Sequence, residues 1–162
     1  MTYPRPVIER IEIHPDLVRD PSPARAAERT VAIHDLQHGA VVSRPGPYVL
    51  LVASDGEDLA LVWRKDEEAF RAPIPMSALR PHLDEYLWIC RTLGQLDDEG
   101  AASPRLEALD MAKKVAHDDA AKTLAALSDH VTPDHATARR LFTLLLCLLV
   151  DTTRISVLHR HR

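Results

Sequence analysis

The spacing of apolar positions along this chain changes period part of the way through. From Val7 to His14 (V-I-E-R-I-E-I-H) β-branched residues partly alternate with polar ones. Ile11 and Ile13 share a face that Glu12 opposes, which predicts a strand ended by Pro15. Ser22-Pro23 then opens a helix, with Ser22 as N-cap and Pro23 in the first helical position. Gly39 is placed to close that helix as its C′ residue. The middle of the chain reads as a hairpin. A-V-V-S and Arg44-Pro45-Gly46-Pro47 precede Y-V-L-L-V-A-S, the turn Asp55-Gly56 and L-A-L-V-W-R. Lys65 to Glu68 reads as a charged, solvated connection.

From Ser77 the period becomes that of a helix. Leu79, Leu83, Tyr86, Cys90 and Leu93 fall on one face. Pro81 places the start as late as Arg80, and Gly94 marks the stop. Ser103-Pro104 opens a further helix running toward Leu127, with a break expected near Asp118-Asp119. Thr132-Pro133 starts the last one, and Leu141 to Val150 is apolar nearly all round, the mark of a buried helix. Strands come early and helices late. The expected class is therefore α+β, a small antiparallel sheet with a hairpin packed against three to four C-terminal helices. Residues 1–150 are expected to form a single domain and 151–162 a flexible C-terminal tail.

Composition adds exclusions. The chain has 162 residues, enough for one core without staples. Aromatics are only 4%, so Leu, Val, Ile and Ala must fill that core. A net charge of -4 with dispersed basic residues argues against a nucleic-acid footprint. Cys90 and Cys147 lack metal or redox spacing and read as small buried hydrophobes in a reducing compartment. The N-terminal residues lack the apolar core of a signal peptide, and the longest apolar run, Leu144 to Val150, falls far short of the ~20 residues a membrane span needs. The expected location is the cytoplasm, with no membrane partner and no cofactor.

Three constellations offer chemistry. His34 and His38 sit four apart on one helix face, as in helical zinc sites, with Asp35 in the slot of a catalytic carboxylate. No third ligand is evident, and His38 near a helix C-terminus is favourable on electrostatic grounds alone. Asp110, Lys113, Lys114, His117 and Asp118 form a charged strip. There His117 is the candidate acid or base and Asp110 its carboxylate. The plainer reading is a solvated face with Asp110–Lys114 and Lys114–Asp118 pairs. Arg139 and Arg140 sit one turn before the apolar run, where an unpaired guanidinium would cost on the order of several kcal/mol. At least one should meet a carboxylate, with Asp110, Glu107 and Glu85 as candidates; otherwise the pair, with Arg80, grips an anion. There is no Walker loop, no G-x-G-x-x-G and no G-x-S-x-G elbow.

Five segments carry a resemblance: V-A-I-H-D-L at Val31–Leu36, G-P-Y at Gly46–Tyr48, E-Y-L-W-I-C at Glu85–Cys90, L-E-A-L-D-M at Leu106–Met111 and T-A-R-R-L-F-T-L at Thr137–Leu144. Together they resemble the uncharacterised alphaproteobacterial protein family numbered two-six-two in the UPF series. The resemblance implies a bacterial protein with shared polar positions at Asp35, Arg80, Tyr86, Asp110, His117, Arg139 and Arg140. Against the family's pattern, His34 replaces an aromatic and His38 an acidic residue. A-K-K-V-A-H-D-D-A-A at Ala112–Ala121 stands where the family has G-R-R-G-L-H-N-E-G-S, so this is a divergent member. The family carries no known activity.

Two function classes follow. One is a non-catalytic or accessory protein that binds a protein or a small anionic molecule. The other is an enzyme with His117 as acid or base and Arg139 or Arg140 holding phosphate or carboxylate. RNA association through the basic ending H-R-H-R is a third. The sequence leaves open whether the chain is an enzyme.

Overall fold

The structure, a computed structural model, describes residues 6–18, 22–98, 100 and 103–150. The tail expected over 151–162 lies outside the described residues. Among those described, four strands run β1 (Ile8–Ile13), β2 (Tyr48–Asp55), β3 (Asp58–Lys65) and β4 (Glu68–Ile74). Helix α1 (Pro23–Gly39) lies between β1 and β2, and α2 (Met76–Asp98), α3 (Ser103–Ala126) and α4 (His135–Leu149) follow the sheet. The chain is α+β, as the order of its patterns predicts.

The sheet has the order β1-β2-β3-β4 and is mixed rather than wholly antiparallel. β2, β3 and β4 form an antiparallel meander, while β1 pairs parallel to β2. The helix between β1 and β2 is the cause, since it returns the chain to the end it started from. The first turn is Gly56-Glu57, one residue beyond the expected Asp55-Gly56, because Asp55 pairs with Asp58. Gly56 takes φ 65 there, a conformation that favours glycine. The Lys65–Glu68 connection is itself a hairpin turn, with Lys65 opposite Glu68, and it leads into β4. The sequence reading missed that strand because of its charges and Pro73. Both are tolerated at a sheet edge, where one side of the strand has no ladder to satisfy.

Three helix boundaries also differ from expectation. α2 begins at Met76, whose N–H donates to the Asp58 carboxylate at 2.9 Å, so Pro81 lies inside the helix and Gly94 does not stop it. Burial of Leu96 beyond Gly94 helps offset glycine's cost of about 1 kcal/mol in a helix. α3 runs unbroken through Asp118-Asp119. α4 starts not at Thr132-Pro133 but after Asp134, whose side chain accepts from the Thr137 N–H at 2.8 Å. Pro133 forms an isolated bridge with Val42 instead.

One core joins the layers. Ile8, Tyr48, Leu50, Val52, Leu61, Trp63 and Ile74 from the sheet cluster with Leu36 of α1, Leu79 and Leu83 of α2 and Leu124 of α3. Leu141, Phe142, Leu144 and Leu145 of α4 complete it. α4 packs against both α1 and α3, so two of its flanks face other helices. Among the described residues no helix is long and apolar enough to cross a membrane.

Candidate functional site

The N-terminal half of α4 carries the two arginines, and each is occupied. Arg139 pairs with the Asp118 carboxylate of α3, not with Asp110, Glu107 or Glu85. Asp118 also accepts from His135 Nε2 at 2.9 Å. These hydrogen bonds, from His135 first and Arg139 next, hold the Asp118 carboxyl below the usual carboxylate range. Asp110 is exposed and makes no ion pair among the described residues. The Asp110–Lys114–Asp118 ladder therefore does not form; Asp118 has turned to α4.

Arg140 reaches α1, where its Nη1 donates to the Gly39 carbonyl at 3.0 Å. This explains Gly39 better than its expected role as C′ residue. Gly39 is the last residue of α1 and the cap is extended Ala40. A Cβ on Gly39 would lie 2.3 Å from Arg140 Nη1. The reverse contact occurs at the other end of the helix pair. Arg25 of α1 donates to the Leu148 carbonyl at 3.0 Å and the Cys147 carbonyl at 3.4 Å. Each helix thus supplies an arginine to the carbonyl-rich end of its antiparallel neighbour, where positive charge is favourable.

His117 is half-buried on the α3 side of α4. Its Nε2 lies 2.9 Å from the Arg139 carbonyl and 3.3 Å from Thr143 Oγ1. A carbonyl can only accept, so that nitrogen carries the proton and cannot also act as a base toward Thr143. The Thr143 hydroxyl donates to the same carbonyl at 3.2 Å. The imidazole packs 5.7 Å from the Tyr86 ring and 5.5 Å from that of Phe142. Burial pushes its pKa down, outweighing the carbonyl bond that favours the charged form.

Beside this set, sharing Tyr86 and Thr143 with it, lies a groove of about 620 Å³. Ala27, Glu28, Val31, Ala32 and Asp35 of α1 form one wall. Tyr86, Leu87 and Cys90 of α2 form a second, and Thr143, Leu146 and Cys147 of α4 a third. The expected site residues Asp35 and Tyr86 meet here, and Tyr86 links the groove to His117. Burial, and then the neighbouring Cys90 thiol, push the Tyr86 hydroxyl up to about 12. Both cysteines are free and half-buried rather than buried in the core as expected. Burial pushes both thiols up, which keeps them protonated and unreactive at neutral pH. The sequence pattern showed Tyr86 and Cys90 on one helical face but gave no sign that Cys147 or α1 would join them.

The remaining candidates stand apart. Arg80 is exposed at the start of α2, in a shallow cleft with Glu57, Ser77 and Asp84, and does not meet Arg139 or Arg140. His34 and His38 stack with ring centroids 3.9 Å apart, and His38 Nδ1 lies 2.9 Å from the His34 carbonyl. Among the described residues no group of three or more His, Cys, Asp or Glu could hold a metal ion.

The groove draws on three of the five segments singled out in the sequence. Val31, Ala32 and Asp35 come from V-A-I-H-D-L, Tyr86, Leu87 and Cys90 from E-Y-L-W-I-C, and Thr143 from T-A-R-R-L-F-T-L. Comparison with known proteins agrees with the resemblance those segments carry. The model of the uncharacterised protein family UPF0262 matches residues 5–151. A UPF0262 protein of Sphingopyxis alaskensis is 35% identical over 133 residues, covering 75% of this chain and 79% of that protein. One from Nitrobacter hamburgensis is 31% identical over 128 residues, covering 75% and 77%. One from Paracoccus denitrificans is 31% identical over 155 residues, covering 87% and 93%. No solved structure matches the chain. With the family model running from before β1 to the end of α4, the chain belongs to the uncharacterised protein family UPF0262.

Proposed function

We propose that the protein is a non-catalytic binding protein that takes a largely apolar small molecule into the groove between α1, α2 and α4. The observation that carries this is the groove itself. Its volume of about 620 Å³ falls in the range of small-molecule sites, and its exposed walls are mainly apolar, with the hydroxyls of Tyr86 and Thr143, two thiols and the carboxylates of Glu28 and Asp35 among them. The segments that carry the family resemblance supply most of those walls. The two free thiols fit a reducing compartment, and we place the protein in the cytoplasm on that ground.

The alternative, an enzyme with His117 as acid or base and Arg139 or Arg140 holding an anion, has less support. The groups it needs are engaged. Arg139 is tied to Asp118, Arg140 to the Gly39 carbonyl, and His117 Nε2 to the Arg139 carbonyl. A substrate anion would have to displace those partners.

The test is binding of the neutral fluorescent probe N-phenyl-1-naphthylamine. The full chain should give a saturable rise in emission. Val31→Gln replaces an exposed part of the apolar wall and should weaken that binding by about fivefold, the worth of a partly buried aliphatic side chain. An absence of saturable binding, or equal binding by Val31→Gln, would overturn the groove as the site. Stabilisation by inorganic phosphate that His117→Gln abolishes would favour the enzyme reading instead.

A further inference from the structure

The charged side chains lining the groove are both carboxylates, Glu28 and Asp35; no lysine or arginine is among its lining residues. The two lie seven residues apart on α1, so both belong to the stripe that forms the groove wall. Val31 sits between them on that wall, with 60% of its surface exposed. Asp35 makes no ion pair among the described residues. The cations of α1 lie toward its other end, against the Cys147 wall of the groove. Arg25 is engaged with the end of α4, and its charge and that of Arg29 are felt at Cys147. Asp35 lies six and ten residues further along α1, about 9 and 15 Å away by helical rise. Lys113 lies over the Tyr86 ring, 5.9 Å from its centroid, so cations reach the α2 wall and the Cys147 wall, and the Asp35 carboxylate marks the end furthest along α1.

We infer that the ligand is a cationic amphiphile, an aliphatic or aromatic amine whose apolar body lies against Val31, Leu87 and Leu146 and whose ammonium group meets Asp35. This rests on the groove being the binding site and adds the charge of what binds there. The charge pattern opposes the anionic ligand expected from the arginines, because those arginines are turned to α1 and α3 rather than to the groove. Asp35 is exposed at the rim of the trough, so its attraction for an ammonium group is that of a solvent-facing pair, added to the burial of the ligand's apolar body. An anionic amphiphile of the same length would meet repulsion at the same place. Tyr86 and Thr143 offer hydroxyl groups along the walls, and these suit an amine N–H as well as a neutral oxygen.

The experiment is displacement of N-phenyl-1-naphthylamine at pH 7 and low salt by octylammonium, octanol and octanoate. The three share one apolar chain and differ in head charge. Octylammonium should displace the probe at about one-third the concentration of octanol, and octanoate should need more than octanol. Asp35→Asn should collapse the ratio of octylammonium to octanol toward one, and raised salt should narrow it in the unaltered chain. Equal displacement by octylammonium and octanol, or tighter binding of octanoate, overturns the inference while leaving the groove as a site. Failure of the probe to bind at all overturns the groove reading and the inference with it.

Discussion

The two flanks of α4 differ in what they do with polar side chains. Toward α3, Asp118, His135, Arg139, His117 and Thr143 form a closed set of hydrogen bonds and ion pairs. Toward α1 and α2 the helix presents Leu146 and Cys147 to an open trough, with Thr143 on the border between the two flanks. The residues most conspicuous in the sequence, the twin arginines and the histidine in the charged strip, belong to the closed flank or to the tie with α1. The open flank is built from residues that attract no notice as a motif. Prominent charge beside a buried helix therefore points here to how the helix is held, and the space available to a ligand lies where the charges are few.

The strongest way to break this contrast is through Phe142, which is fully buried with its ring 5.7 Å from that of Tyr86 and 5.5 Å from that of His117. It touches a wall residue of the groove and a member of the closed set together. Phe142→Ala should lower the free energy of unfolding by about 3–5 kcal/mol in urea denaturation. A loss below about 1 kcal/mol would mean that the two flanks are not braced by a common ring.

Next in size is the tie to α1. Arg140→Met should cost about 1–2 kcal/mol, the range for a charge-assisted hydrogen bond to a carbonyl that keeps some access to water. Gly39→Ala forces the same guanidinium away while gaining helix propensity, so its net cost should be smaller. The double variant should be no less stable than Arg140→Met alone. Simple addition of the two losses in a double-mutant cycle would show that Gly39 serves something other than Arg140.

The smallest effect concerns pH and sharpens the account of the closed flank. The native pKa of His117 lies below the 6.5 of an unperturbed histidine. Below pH about 6.5 the unfolded chain takes up a proton that the native imidazole refuses. The stability His117 contributes is thus present above that pH and is lost as pH falls from 6.5 toward the lower native value. In His117→Gln the fall in melting temperature between pH 7 and 5.5 should be shallower than in the unaltered chain. An equal or steeper fall would show that burial of a neutral imidazole is not what the closed flank imposes.

Much of the fold could be read from the residues. Ser22-Pro23 marked the start of α1, the alternation after Tyr48 marked β2 and β3, and the apolar run from Leu141 marked α4. The parallel pairing of β1 was not read, although the helix between β1 and β2 supplies the crossover it needs. Pro73 hid an edge strand, and Pro81 and Gly94 made one long helix look short. The site was harder for a specific reason. Asp110 and Asp118 are eight residues apart on the same helix, about 12 Å along its axis. Periodicity assigns both to similar faces, and only the axial offset between α3 and α4 decides which one Arg139 meets. That offset is set by core packing around Leu124, Leu141 and Phe142, contacts that no local pattern encodes. The groove was hidden for the same reason, since its three walls come from helices separated by tens of residues.

The reciprocal arginines of α1 and α4 have a mechanical consequence. The helices are fastened near both ends, Arg25 to Leu148 and Arg140 to Gly39, and the residues that line the trough fall between those fastenings. Sliding one helix along the other would break both attachments together. The pair behaves as two beams pinned at their ends, stiff in shear, so the register of the frame around the trough stays fixed.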